Sequence, residues 1–107
     1  MAEIPSEIIE TVNKYIEIIK KDVNIEKVIL FGSYAKGNYN KDSDIDLALI
    51  LSEYDENDII NMGTFLLDKS LVLKEDLQPL PFSINEYKNP IGIMEEILNT
   101  GIELNVA

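Results

Sequence analysis

Two groups of residues near the middle of the chain have types and spacing suited to phosphate chemistry. The first is the pair Gly32-Ser33, which directly follows the largely apolar run Lys27–Phe31. Gly32 has no Cβ, so the backbone there can turn sharply and approach an anion closely. Ser33 adds a hydroxyl, and the residues after it can begin a short helix whose free N–H groups attract phosphate oxygens. The pattern predicts a phosphate-holding turn at the end of a buried strand.

The second group is the acidic pair Asp44 and Asp46. Residues two apart in a strand point the same way, so both carboxylates would share one face, with Ile45 and Leu47 on the other. Like charges on one face repel each other unless water or a cation neutralises them. Mg²⁺, as one ion or two, suits the pair because it takes carboxylate oxygens and completes its shell with water and phosphates. The two groups together predict a nucleoside triphosphate site, and the alternative is a glycine-rich hairpin with an acidic surface.

A catalytic centre of this kind would gain from a third acid on a neighbouring strand, because two metals sharing carboxylates can clamp both oxygens of a phosphoryl displacement. Glu75 and Asp76 are the candidates. We favour Asp76 as a catalytic and metal-binding residue, because it shares a strand face with Gln78 and precedes two prolines. The alternative is that Asp76 is a turn aspartate beside Glu75.

Other polar residues near these motifs have weaker interpretations. Ser43 is predicted to cap the turn into the second strand, with a nucleotide contact as a further role. Lys36 and Lys41 lie between the two motifs, within reach of phosphates, but loop lysines are usually solvated. Glu95 and Glu96 are interpreted as solvated surface.

Composition narrows the classes of protein and of site. The chain has 107 residues with 46% hydrophobic content, which predicts one globular domain spanning residues 1–107. There is no cysteine and no histidine, which excludes disulfides, thiolate metal sites, histidine acid–base catalysis and histidine-ligated zinc. Any metal must therefore be bound by oxygen.

The N-terminus has no signal-peptide pattern and the apolar runs are too short for a bilayer, so we expect a cytoplasmic protein without a membrane partner.

The chain is strongly acidic, with 20 acidic and 9 basic residues and a formal net charge of -11. This balance argues against binding a long nucleic acid, whose affinity comes largely from Lys and Arg. A single nucleotide remains compatible, because a bound cation would supply the local positive charge. The charge also favours a basic macromolecular partner, and the alternative is that it serves only solubility.

Periodicity predicts an alternation of helices and strands. Helices are expected over 5–22, 33–36, 55–69 and from 89–90 to 101, and strands over 26–31 and 44–51. The segment 71–82 is strand-like but contains Pro79 and Pro81, so it is either an edge strand or leaves the sheet after Gln78. The tail 102–106 is expected to dock as a short strand or to fray.

The motif Gly32–Gly37 followed by Ser43–Leu47 resembles the signature of the DNA polymerase β-like nucleotidyltransferase superfamily, and more closely that of the minimal nucleotidyltransferases of bacteria and archaea. The segments 77–82 and 89–102 resemble the C-terminal part of that family. The resemblance implies an α/β (α+β) nucleotidyltransferase fold, a small mixed sheet flanked by helices. It also implies that the Gly-Ser turn binds the triphosphate, that the Asp pair holds Mg²⁺ and that Asp76 is the third acid.

The resemblance further implies a function and a partner. Members of this family are commonly paired with a HEPN-domain toxin as its antitoxin, and some transfer AMP from ATP to a tyrosine of that toxin. Nucleotidyltransferases that modify small molecules or tRNA usually carry an added acceptor domain, which 107 residues cannot supply, so we expect a protein acceptor. One alternative is a catalytically idle antitoxin that acts by binding. Another is an enzyme that modifies a small molecule such as an aminoglycoside, with the acceptor pocket built by a homodimer or a second subunit.

Overall fold

The computed structural model describes residues 4–105. Its elements in chain order are α1 Ser6–Ile19, β1 Asn24–Phe31, α2 Ser33–Lys36, β2 Ile45–Ser52, a 3₁₀ turn Glu56–Asp58, α3 Ile59–Ser70, β3 Leu77–Ser83, α4 Ile84–Lys88, α5 Ile93–Thr100 and β4 Ile102–Leu104.

The strands form one mixed sheet in the order β3-β2-β1-β4. β1 is antiparallel to both β2 and β4, whereas β2 and β3 run parallel. The α2 turn and the loop after it return β2 directly beside β1, so that Phe31 pairs with Asp46. The predicted mixed sheet flanked by helices is confirmed, and residues 102–104 dock as a strand. Val106 of the predicted tail lies outside the described residues.

Helices α1 and α3 cover one face of the sheet. The predicted apolar stripe of α1 is buried, with Val12 and Ile19 fully inaccessible, and it packs on Leu30 and Leu47. The Tyr15 hydroxyl donates a hydrogen bond to the Leu66 carbonyl at 2.7 Å, which ties α1 to α3. The predicted helix over 55–69 is wrong at its start, because a 3₁₀ turn occupies Glu56–Asp58 and α3 begins after it.

The opposite face is also apolar over most of its area. Ile29, Ala48 and Ile50 are buried there under Met94 and Ile97 of α5. Both sides of β2 are therefore covered along most of its length, which explains its continuous apolar run. Asp46 interrupts this run where β2 begins and is only half-buried.

β3 resolves the alternatives for the proline-containing segment. It lies at the edge of the sheet and pairs only with β2, so Pro79 and Pro81 sit in a strand with one side free of ladder partners. The short helix α4 that follows is absent from the sequence prediction. Its signal is nevertheless present in the sequence, because Ser83 and Glu86 form a capping box with hydrogen bonds of 3.0 Å in both directions.

None of the helices within residues 4–105 combines the length and apolar character needed to cross a bilayer.

The fold predicts opposite effects for two glycine-to-alanine substitutions. A Cβ on Gly101 would lie 2.6 Å from both Ile29 Cγ2 and the Ile97 carbonyl oxygen, where α5 ends against β1. Gly101→Ala should therefore lower the free energy of unfolding by about 1–3 kcal/mol. Gly63→Ala, in α3 with nothing within 4 Å of the new Cβ, should raise it by about 0.5–1 kcal/mol. Urea denaturation measures both, and a stabilising Gly101→Ala would contradict the packing of α5 on β1.

Candidate active site

Gly32 lies directly against the carboxylate of Asp46. The pairing of Phe31 with Asp46 brings the end of β1 beside the start of β2, and Gly32 then leaves the strand with φ 73° and ψ -150°. A Cβ on Gly32 would collide with Asp46 Oδ2 and lie 3.1 Å from Asp46 Cγ. Only glycine fits both this backbone conformation and this approach. The structure therefore brings the predicted turn and one of the predicted acids together.

Ser33 begins the short helix α2, as predicted. The Lys36 N–H donates to the Gly32 carbonyl and the Gly37 N–H to the Ser33 carbonyl, each at 3.0 Å. Gly37 ends the helix in the left-handed conformation, with φ 83°. First-turn N–H groups have no acceptor within their own helix, so the turn presents backbone donors beside the acidic pair.

Asp44 lies close enough to Asp46 for its charge to affect the pKa of the Asp46 carboxyl. Asp44 is exposed at the end of the loop, and Asp46 is half-buried in β2. Burial, with a smaller contribution from the charge of Asp44, raises the pKa of Asp46 above its usual range. Neither carboxylate forms an ion pair with a side chain of residues 4–105. An unpaired acidic couple with this electrostatic cost suits a hard divalent cation such as Mg²⁺, which binds through one or two carboxylates and keeps positions for phosphate oxygens.

The loop between the turn and the acidic pair is held by local contacts. The ring of Tyr39 stacks on that of Tyr34 at a centroid distance of 4.6 Å. The Asn40 side-chain oxygen accepts from the Asp42 N–H at 2.8 Å, and the Ser43 hydroxyl oxygen accepts from the Asn40 N–H at 2.9 Å. Ser43 thus caps the turn into β2, which is the first of the two roles predicted for it. Its contact with a nucleotide stays a prediction.

Asp76 is exposed and immediately precedes β3. Its backbone carbonyl accepts from the Ile45 N–H at 2.8 Å, so the β2–β3 ladder continues to the level of the acidic pair. Asp76 and Glu75 also line a cleft of about 360 Å³. Within residues 4–105, no three acidic side chains are spaced to share one metal ion. Metal binding by Asp44 and Asp46 stays a prediction, and so does the role of Asp76 as a third acid.

A contact that the sequence does not indicate joins α2 to α5. The Lys36 ammonium lies 3.7 Å from Glu96 Oε1, although the sequence favours a solvated position for both side chains. These two residues line a cavity of about 180 Å³ that also reaches Gly32; we call it the α2–α5 cavity. Only tertiary packing brings its walls together, because they are about 60 residues apart in sequence.

Comparison with known proteins agrees with this geometry. Residues 13–106 match the family model described as "Polymerase beta, Nucleotidyltransferase". The chain belongs to this nucleotidyltransferase family. The matched range contains the Gly-Ser turn, the acidic pair and the segment around Asp76, so the family resemblance of the motifs is confirmed.

Two relatives come from Methanocaldococcus jannaschii. The one named "Putative protein adenylyltransferase MJ0141" is 34% identical over 104 residues, covering 92% of this chain and 96% of the relative. The one named "Putative protein adenylyltransferase MJ1379" is 40% identical over 77 residues, covering 67% of this chain and 74% of the relative.

Two crystal structures share the fold. A "putative nucleotidyltransferase from Sulfolobus solfataricus" has a TM-score of 0.67 and 17% identity, and the match covers 91% of this chain and 78% of that one. A structure described as a "toxin-antitoxin with AMP-PNP" has a TM-score of 0.58 and 20% identity, with coverage of 89% and 73%. At sequence identities this low, the structural similarity shows a common fold only.

The raised pKa of Asp46 predicts that Asp46→Asn stabilises the metal-free protein. The folded form binds a proton at Asp46 more tightly than the unfolded chain does, so the wild type loses stability as pH rises through the raised pKa. In EDTA, Asp46→Asn should therefore unfold at a higher temperature than the wild type at neutral pH. The difference should shrink as pH falls towards the ordinary carboxylate pKa of about 3.9. Asp42→Asn, in the exposed loop, is the matched control, and a destabilised Asp46→Asn at neutral pH would contradict the assignment.

The approach of Gly32 to Asp46 predicts energetic coupling between the two positions. Gly32→Ala should destabilise the protein by at least about 1–2 kcal/mol, because alanine is strained at this φ and collides with the carboxylate. In the double variant Gly32→Ala/Asp46→Ala the collision is relieved. Its destabilisation should therefore be smaller than the sum of the single effects by about 0.5–3 kcal/mol, measured by denaturant titration of all four proteins. Strict additivity would show that the two residues do not touch.

Proposed function

We propose that this protein is an Mg²⁺-dependent nucleotidyltransferase that transfers AMP from ATP to a hydroxyl of a partner protein. The acceptor we propose is a tyrosine of a HEPN-domain toxin, which makes this chain the antitoxin. The close approach of Gly32 to the Asp46 carboxylate carries the proposal, because it sets a glycine turn with free backbone donors beside an acidic pair. A triphosphate and its cation need those two features side by side.

The relatives and the shared fold support the choice of reaction and partner. The two archaeal relatives carry the name protein adenylyltransferase. A toxin–antitoxin structure determined with AMP-PNP, an ATP analogue, has the same fold. Both observations concern other proteins, and they favour adenylylation of a protein over modification of a small molecule.

The residues of the site have complementary roles in this reaction. The backbone donors at Gly32 and Ser33 would bind phosphate oxygens, with Ser43 at the entrance, while Asp44 and Asp46 would hold Mg²⁺. When bound, the cation neutralises part of the triphosphate charge. Asp76 would accept the proton of the attacking tyrosine hydroxyl. A bond forms between that hydroxyl oxygen and the α-phosphorus, the bond from the α-phosphorus to the bridging oxygen breaks, and pyrophosphate leaves.

Surface properties favour a protein as the acceptor. Large apolar side chains are left exposed at the end of α3 and before α5: Leu71 is 72% exposed, Val72 74% and Ile91 82%. Leu71 and Val72 are adjacent in sequence, and neighbouring exposed apolar side chains are typical of protein contacts. The net charge of -11 would speed encounter with a basic partner such as a ribonuclease.

The decisive experiment incubates this protein with the product of its neighbouring gene, ATP and Mg²⁺. We expect the partner to gain the mass of one AMP, located on a tyrosine by peptide mass spectrometry. The Asp44→Asn/Asp46→Asn variant should lose the reaction by at least about 10³-fold, since it removes both metal ligands. Asp55→Asn/Asp58→Asn makes the same charge change beyond the far end of β2 and should keep full activity.

Three outcomes would contradict the proposal in different ways. An undiminished adduct with Asp44→Asn/Asp46→Asn would rule out the acidic pair as the metal site. No adduct at all, with neutralisation of the toxin preserved by the same variant, would favour an antitoxin that acts by binding. Drug resistance conferred by this chain alone would favour a small-molecule acceptor.

A further inference from the structure

The α2–α5 cavity opens beside the glycine turn and has no role in the reaction described above. It is lined by Gly32 and Lys36 on the α2 side and by Ile93, Glu96, Ile97 and Thr100 on α5, with a volume of about 180 Å³. Gly32 is thus shared between the cavity and the contact with Asp46. A ligand whose phosphates lie on the turn can reach the cavity without crossing the sheet.

The walls of the cavity suit a flat ring that carries polar groups at its edge. Ile97 is 1% exposed and Ile93 52% exposed, so isoleucine side chains provide an apolar surface from the floor to the rim. Pockets for small ligands combine such surfaces with a few placed polar groups. Here the polar groups are the Lys36 ammonium, the Glu96 carboxylate and the Thr100 hydroxyl.

The Lys36–Glu96 pair has hydrogen-bonding capacity to spare. The two groups are 3.7 Å apart, and their side chains are 45% and 66% exposed. This separation is too long for a hydrogen bond, and an exposed ion pair contributes little to stability. The Thr100 hydroxyl donates to the backbone carbonyl of Glu96 at 2.9 Å, not to its side chain. The Glu96 carboxylate can therefore accept a hydrogen bond from a ligand.

We propose that the α2–α5 cavity binds the nucleobase and that Glu96 determines its identity. The assignment rests on the proposed function and goes beyond it by naming the specificity residue. The Glu96 carboxylate accepts a hydrogen bond from the exocyclic amine of adenine, and Lys36 donates to the neighbouring N7, which is an acceptor in adenine and in hypoxanthine. An ionised carboxylate is an acceptor only. Hypoxanthine, which carries an oxygen in place of that amine, would face Glu96 with a second acceptor.

On the base edge formed by N7 and the 6-substituent, ATP and ITP differ only in that substituent, so they isolate the contact with Glu96. Calorimetric titration with Mg²⁺ present and no acceptor protein should show ATP binding about tenfold more tightly than ITP, in line with a hydrogen bond to a charged group. In Glu96→Gln the ratio should fall to near one, because the amide both donates and accepts. Inorganic triphosphate, which has no base, should bind wild type and variant equally.

The neighbouring acid provides a matched control. Glu95→Gln makes the same change of charge on the same helix but does not line the cavity, so it should keep the wild-type ratio of ATP to ITP affinity. An equal affinity of the wild type for ATP and ITP, or an unchanged ratio in Glu96→Gln, would overturn the assignment while leaving the proposed function intact. No Mg²⁺-dependent binding of ATP or triphosphate by the wild type would overturn the proposed function, and this assignment with it.

Discussion

The partial burial of the Asp46 carboxylate, with the charge of Asp44 beside it, is the electrostatic constraint on which the site depends. A half-buried carboxylate with a like charge beside it is costly, and the raised pKa of Asp46 records that cost. This cost falls at the start of β2, where Asp46 is only partly covered by the helices. The remainder of β2 is buried under apolar side chains on both faces, and this packing fixes the strand that carries Asp46.

The antiparallel pairing of β1 with β2 turns this electrostatic arrangement into a site. Because Phe31 lies opposite Asp46, the residue that follows must pass the carboxylate at close range. A side chain at position 32 would collide with the Asp46 carboxylate. The pairing register of β1 with β2 therefore requires glycine at this position. The same register places the first turn of α2, with its unpaired N–H groups, beside the acids. The nucleotide and cation binding that we propose would thus depend on one strand pairing.

Much of this could be predicted from the sequence, because the signals are local. The apolar stripe of α1, the alternation around Asp44 and Asp46 and the glycines bounding α2 each specify their own conformation. The prolines of β3 leave two alternatives, and only the position of that strand at the sheet edge decides between them. The Lys36–Glu96 contact could not be predicted, since it depends on how α5 packs against β1. The predicted start of α3 is wrong because Asp55–Asp58 favours an N-terminal helical turn of either kind.

The central claim is that the glycine turn and the acidic pair bind one metal–nucleotide complex. The most direct measurement replaces Mg²⁺ with paramagnetic Mn²⁺ in the presence of AMP-PNP and follows the backbone amide signals by NMR. We expect the strongest line broadening at residues 32–33 and 44–46, where two segments would converge on one ion. Broadening centred on the acidic residues 53–58, beyond the opposite end of β2, would contradict it.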